Sequence, residues 1–155
     1  DQPVSRELLQ QVIGAAMMAP SAGNARPWQF VVLDDPQVVQ EIPRIHPHGA
    51  MATEAAVSVL VCGDLSLEKY PGTWIADCSA ANQNLLLAAH AQGLGGVWTG
   101  IYPEQDRVQG FQKLLGLPQH VVPLALVPLG YPASASRRLD RYEAAKIHNN
   151  RYGAR

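Results

Sequence analysis

Apolar positions recur at helical spacing early in the chain, where Leu8, Leu9, Val12, Ile13 and Ala16 fall on one face. Ser5 stands where an N-cap is needed and Glu7 lies in the first turn, so a helix begins there. Pro20 disfavours helical geometry in the residue before it and ends the helix near Ala19. The next apolar run, Trp28 to Leu33, predicts a strand. Asp35 and Pro36 form an N-cap and N1 pair, which predicts a short helix through Ile42. Residues 43–54, with Pro43, Pro47 and Gly49, read as irregular. Ala56 to Cys62 is a compact run of β-branched character, the pattern of a buried strand.

The longest predicted element is a helix from Thr73 to Gln92, small residues in its first half and a leucine cluster at 85–87. Small residues let another helix approach while leucines supply buried area. Such a helix suits either a central core position or one shared between the core and a dimer interface. Gly93 suits the left-handed position that ends it. Gly95 to Ile101 reads as a strand with unusual backbone freedom. Pro103, Glu104 and Asp106 start a further helix carried by Val108, Phe111, Leu114 and Leu115, stopped by Gly116 and Pro118. Val121 to Leu129 is the last internal strand, and Pro123 and Pro128 fit an edge or a bulge better than a central position. Taken alone, the alternation of helices and strands suggests a doubly wound parallel sheet.

Composition adds bounds. With 155 residues, 47% of them hydrophobic, and no repeat or linker, residues 1–155 are expected to form one soluble domain, with 132–155 as a basic C-terminal arm. A net charge of −1 provides no global field for nucleic acid or an anionic membrane. Arg137, Arg138, Arg141, Lys146, Arg151 and Arg155 crowd the last nineteen positions, as a solvated tail or as a grip on one phosphate. Cys62 and Cys78 lie apart in apolar segments with no metal or redox spacing, which points to a reduced cytoplasmic compartment. His46-Pro47-His48 is too short a cluster to make a metal site. No signal peptide or bilayer-length apolar run occurs. Because the chain opens on Asp1 and runs straight into a helix, residues upstream are expected.

Familiar chemical motifs fail. Gly93-Leu94-Gly95 begins a dinucleotide fingerprint, but Trp98 occupies the third glycine position, and there is no P-loop. Ser21 and Ser79 have no histidine in a recognisable nucleophile motif, and Asp34 and Asp35 make a poor hydrolytic pair. Three segments remain. Pro20-Ser21-Ala22-Gly23-Asn24-Ala25-Arg26-Pro27-Trp28 offers a hydroxyl, an amide and open backbone in one loop. Asp77 through Pro103 runs from the long helix through Gly93-Leu94-Gly95 to Trp98-Thr99-Gly100, where a glycine permits close backbone approach to a ligand. Gly130-Tyr131-Pro132 is followed by Arg138, Arg141-Tyr142-Glu143 and Ile147-His148.

These segments resemble the nitroreductase family, FMN-dependent NAD(P)H oxidoreductases whose signature loop reads Pro-Ser-x-x-Asn-x-Gln-Pro-Trp. Arg26 stands here in place of the glutamine. The resemblance implies an α+β fold, a mixed central sheet flanked by helices, in an intertwined homodimer. It implies FMN held by Pro20, Ser21 and Asn24 of the loop, by backbone at Trp98, Thr99 and Gly100 beside the reactive ring edge, and by Arg138 and Arg141 at the phosphate. A guanidinium fork matches two phosphate oxygens. The family's Arg-Arg-Ser-x-Arg segment, which also grips the phosphate, would precede the first helix, ahead of Asp1. NADH or NADPH would be the donor, and a nitroaromatic, a quinone or a flavin the acceptor. The cofactor carries the chemistry, so no catalytic side chain is named. A flavin-binding module without turnover, or a flavin-dependent dehalogenase or flavin-destroying enzyme on the same fold, is the alternative. The short 64–72 loop leaves little room for the substrate lid that the last two need.

Overall fold

The computed structural model describes residues 2–134 and 139–154. Helix α1 (Arg6–Met17) begins as its sequence requires, with Ser5 Oγ accepting the Leu8 N–H at 3.1 Å. Strand β1 (Trp28–Leu33) follows. Asp35 Oδ1 then accepts the Gln37 N–H at 2.8 Å and starts α2 (Pro36–Val39). The segment expected to be irregular is largely helical: α3 (Ile42–Ile45) leads into a 3-10 stretch, Pro47–Thr53. Its prolines sit in the first turns of those two pieces, where the missing N–H has no helical partner to lose.

Strand β2 (Val57–Asp64), helix α4 (Trp74–Ala91) and helix α5 (Gln105–Leu115) lie within a few residues of their predicted limits. Gly93, just beyond α4, has φ 79°, and Gly116, which caps α5, has φ 64°. The predicted strand over 95–101 is instead two short bridges, β3 (Gly95–Gly96) and β4 (Thr99–Gly100), with Val97 and Trp98 between them unpaired. Both bridges pair with β5 (Val121–Gly130).

The sheet order is β1-β2-β5-β3, with β4 also on β5, and every pairing among the described residues is antiparallel. The α+β class thus stands, while the sheet direction expected to be mixed is uniform within the described chain. The connection between each pair of neighbouring strands begins and ends at the same end of the sheet, so no parallel strand–helix–strand unit forms.

β5 is central, not an edge, and its two prolines are accommodated by breaks in the ladder. Val61 pairs with Ala125 and Cys62 with Pro123, which leaves Leu124 as a bulge. The Leu124 carbonyl accepts both the Ile101 and the Tyr102 N–H, at 3.0 and 3.1 Å. On the other side, the gap between β3 and β4 falls opposite Val127 and Pro128.

Alternation along β2 divides the core. Val57, Val59 and Val61 face α1 and α4, packing with Val12, Ala16, Cys78, Ala81 and Leu85. Leu60 and Cys62 face the opposite layer, with Ile42, Ile101, Val108 and Phe111. Each fully buried large apolar side chain contributes roughly 1.5–3 kcal/mol, so the two layers clamp the sheet independently. A Cβ on Gly63 would collide with the Trp74 indole, so the start of α4 lies directly on the backbone of β2.

Candidate functional site

The Pro20–Asn24 loop leaves α1 and folds into a 3-10 turn at Ala22–Asn24 with three left-handed residues nearby: Gly23 (φ 58°), Asn24 (φ 55°) and Arg26 (φ 50°). Left-handed geometry is costly for arginine, so the loop must be held from outside. Ser21 Oγ accepts the Arg26 N–H at 2.9 Å, and Asp77 Oδ1, from the first turns of α4, accepts the Ala22 N–H at 2.9 Å. Lys69 Nζ donates to the Gly23 carbonyl at 2.6 Å, and the Tyr70 ring lies against the face where a Gly23 side chain would project. Buried Trp28 anchors the end of the loop in the core. The Ser21 hydroxyl still has its hydrogen to donate, and the exposed Asn24 side chain makes no hydrogen bond among the described residues.

The second segment presents backbone. Thr99 is buried, and its hydroxyl donates to the Leu126 carbonyl at 2.9 Å. That hydroxyl is therefore a structural tie. Gly100 is exposed, and a Cβ built on it meets no atom within 4 Å. Beside it, Trp98 is 37% exposed although it is among the largest apolar side chains of the chain. Open space over a glycine, next to an indole face, is what a flat ring needs to lie against main chain. The Gly100 carbonyl accepts from Arg107 Nη1 at 3.0 Å.

The third segment is only partly in view. Arg138 lies outside the described residues. Arg141 is exposed, and no hydrogen bond or ion pair joins it to the other two segments among the described residues. Residues 139–154 hold only a short turn, Ala144–Lys146, and leave Leu139, Tyr142 and Tyr152 more than half exposed.

Within the described chain the second and third segments meet, with Gly95 paired to Gly130. A pocket of about 360 Å³ is lined by Gly95, Gly96, Val97, Gly130 and Tyr131 among others. Another, of about 490 Å³, lies between α5 and the edge-to-face pair of Trp74 and Tyr102. Neither includes the Pro20–Asn24 loop or Trp98–Gly100.

Sequence reasoning missed three supporting residues. Asp77 carried a signal, an acidic residue at a position that turns out to be 5% exposed within a helix of small apolar residues. Lys69 and Arg107 carried none, because only the fold brings them to Gly23 and Gly100. The cysteine thiols are silent. Burial, then the Cys78 thiol for Cys62 and the Asp77 and Glu68 carboxylates for Cys78, pushes both thiol pKa values up to about 12. Neither is a thiolate at neutral pH.

An antiparallel sheet between two helical layers, carrying an open glycine turn and an externally pinned polar loop, defines an α+β protein. The family model described as the Nitroreductase family matches residues 1–62 and 46–131. A protein of Methanothermobacter thermautotrophicus named NADH dehydrogenase/NAD(P)H nitroreductase is 49% identical over 148 residues, which span 96% of this chain and 78% of the relative. A crystal structure of a Parabacteroides distasonis protein of the same name is 39% identical with a TM-score of 0.93, covering 98% of this chain and 89% of that one. A Desulfovibrio desulfuricans protein named as a nitroreductase, solved in complex with FMN, is 32% identical with a TM-score of 0.74, covering 90% and 83%. The chain belongs to the nitroreductase family.

Proposed function

We propose that this chain is an FMN-dependent oxidoreductase that passes reducing equivalents from NADH or NADPH to a nitroaromatic, a quinone or a flavin. The observation that carries this reading is Gly100 in the Thr99–Gly100 turn: an exposed residue, open space where a side chain would stand, and exposed Trp98 two positions before it. The donor set fits the cofactor. Ser21 and Asn24 offer a hydroxyl and an unpartnered amide to the polar edge of a ring, Pro20 shapes their loop, and Arg141 with Arg138 offers guanidinium forks to one phosphate. No acid–base side chain is required, because bound FMN itself supplies hydride and electron transfer. The chain's share is position: Asp77 and Lys69 fix the loop, and Thr99 fixes the turn from behind.

We place two such sites between two copies of the chain. No hydrogen bond or ion pair links Arg141 to the Pro20–Asn24 loop or to the Thr99–Gly100 turn among the described residues, and several apolar groups lack intramolecular cover: Met18, Leu87, Leu139 and Tyr142 are each more than half exposed. An obligate interface burying on the order of 2,000 Å² or more would cover them. Among the described residues no helix is long and apolar enough to cross a membrane. Together with the two unpaired cysteines, this supports a cytoplasmic location.

The test is direct. Purified chain is freed of cofactor, titrated with FMN and with FAD, and then mixed anaerobically with NADH or NADPH while the flavin absorbance is followed. FMN uptake with bleaching by one of the nucleotides is expected, and sedimentation should give a dimer. Failure to take up FMN, or uptake without bleaching by either nucleotide, overturns the enzyme reading.

A further inference from the structure

Arg107 stands in the first turn of α5, on the opposite side of the sheet from the Pro20–Asn24 loop's anchor in α4. Its Nη1 donates to the Gly100 carbonyl at 3.0 Å. The same peptide unit is tied at its other end, where the Ile101 N–H donates to the Leu124 carbonyl at 3.0 Å. The orientation of the Gly100–Ile101 peptide is thus set by the bulge of β5 on one side and by a guanidinium on the other. A carbonyl drawn toward α5 is not free to turn its lone pairs into the space over Gly100. That matters for an incoming ring edge whose own polar atoms are acceptors.

The guanidinium also has no carboxylate within ion-pairing distance among the described residues. The ion pairs among the described residues are Arg44 with Glu41 and Lys146 with Glu143, and Arg107 is in neither. Its charge also reaches His46, a buried imidazole with neither ring nitrogen hydrogen-bonded among the described residues. Burial first, then the Arg107 charge and that of His48, hold the His46 pKa below its ordinary value. His46 therefore brings no charge of its own to Arg107 at neutral pH.

We propose that Arg107 is a positioning residue for the Thr99–Gly100 turn, tying the Gly100 carbonyl to α5 and bringing an unpaired positive charge to the place where the ring gains negative charge on reduction. The inference rests on the reading of that turn as cofactor-facing. A fixed charge aimed at developing negative charge stabilises the reduced state more than the oxidised one. It raises the midpoint potential of the bound cofactor.

The test compares Arg107→Met, which removes charge and donors at similar volume, with Arg107→Lys, which keeps the charge and loses the planar fork. Three quantities are read: FMN affinity of the apoprotein by fluorescence titration, midpoint potential by spectroelectrochemistry, and apoprotein Tm. Arg107→Met should bind oxidised FMN several-fold more weakly and reduced FMN more weakly still. For each tenfold by which the reduced form loses more than the oxidised, the two-electron potential falls by about 30 mV. Arg107→Lys should weaken binding but hold a potential closer to wild type. If Arg107→Met does not fold, Arg107→Gln carries the same comparison. An unchanged potential in both substitutions, with only Tm lowered, overturns the inference and leaves Arg107 a structural tie. That result is distinct from failure of the functional reading, in which the wild-type chain itself takes up no flavin.

Discussion

At the scale of single residues, Thr99 and Gly100 are neighbours with opposite jobs. Thr99 is 6% exposed, and its hydroxyl satisfies a main-chain carbonyl of the central strand. Thr99→Val keeps the shape and leaves that acceptor buried and short of a partner, a loss of roughly 1–3 kcal/mol. In a chain of this size that lowers Tm by about 2–10 °C. Flavin reduction should be only mildly slower, because the main-chain amide remains. Gly100→Val is the reverse case. Its added side chain meets nothing in the chain itself, so the apoprotein should melt as wild type while FMN binding is severely impaired. Thermal melts of both apoproteins and FMN titrations of both separate the roles. A fall in Tm for Gly100→Val as large as that for Thr99→Val would mean that the space over Gly100 is not open. The glycine is marked in the sequence by its type, and the structure leaves the space over it open; the Thr99 tie has no local mark, because its partner lies 27 residues downstream.

At the scale of elements, features set by chemistry within one turn are legible in the sequence, and features that depend on a distant partner are not. Ser5, Asp35 and Gly116 mark helix ends by chemistry confined to one turn, and each does so in the structure. The prolines of β5 suggested an edge strand because a local reading supposes a full ladder on both sides. The Leu124 bulge and the β3–β4 gap make room for them in the centre. Likewise Pro43 and Pro47 suggested irregular chain, although both sit where helical turns tolerate proline. That 3-10 stretch buries His46, which gives the element a pH signature. The unfolded chain binds a proton near the ordinary histidine pKa of 6.5, whereas the folded chain resists it. Stability is therefore fully present above that value and falls as pH drops through it, until the lowered folded pKa is reached. Melting temperatures between pH 7.5 and 5.5 should fall in the wild type and fall less in His46→Leu. Parallel curves would remove His46 as the source.

At the scale of the whole molecule, the C-terminal arm is the part that the core does not explain. The described residues from 139 to 154 add nothing to either hydrophobic layer, yet they carry Leu139, Tyr142, Ile147 and Tyr152 in exposed positions. An arm with that much uncovered apolar surface and three basic residues, Arg141, Lys146 and Arg151, is better suited to a second copy and an anion than to solvent. If Arg141 grips the FMN phosphate, Arg141→Ala should weaken FMN binding about ten- to a hundredfold, the usual worth of a hydrogen bond to a charged group. Arg151→Ala should change it far less. Deleting the arm from residue 139 onward should leave the sheet and its two helical layers folded, since no buried residue is lost, but should abolish tight FMN binding and shift sedimentation toward the monomer. FMN titration, circular dichroism and sedimentation on the same three proteins test all of this together. Equal small losses for Arg141→Ala and Arg151→Ala would describe a diffuse basic tail with no phosphate fork. A shortened chain that still dimerises and binds FMN tightly would place the phosphate site elsewhere and end the arm's claim to it.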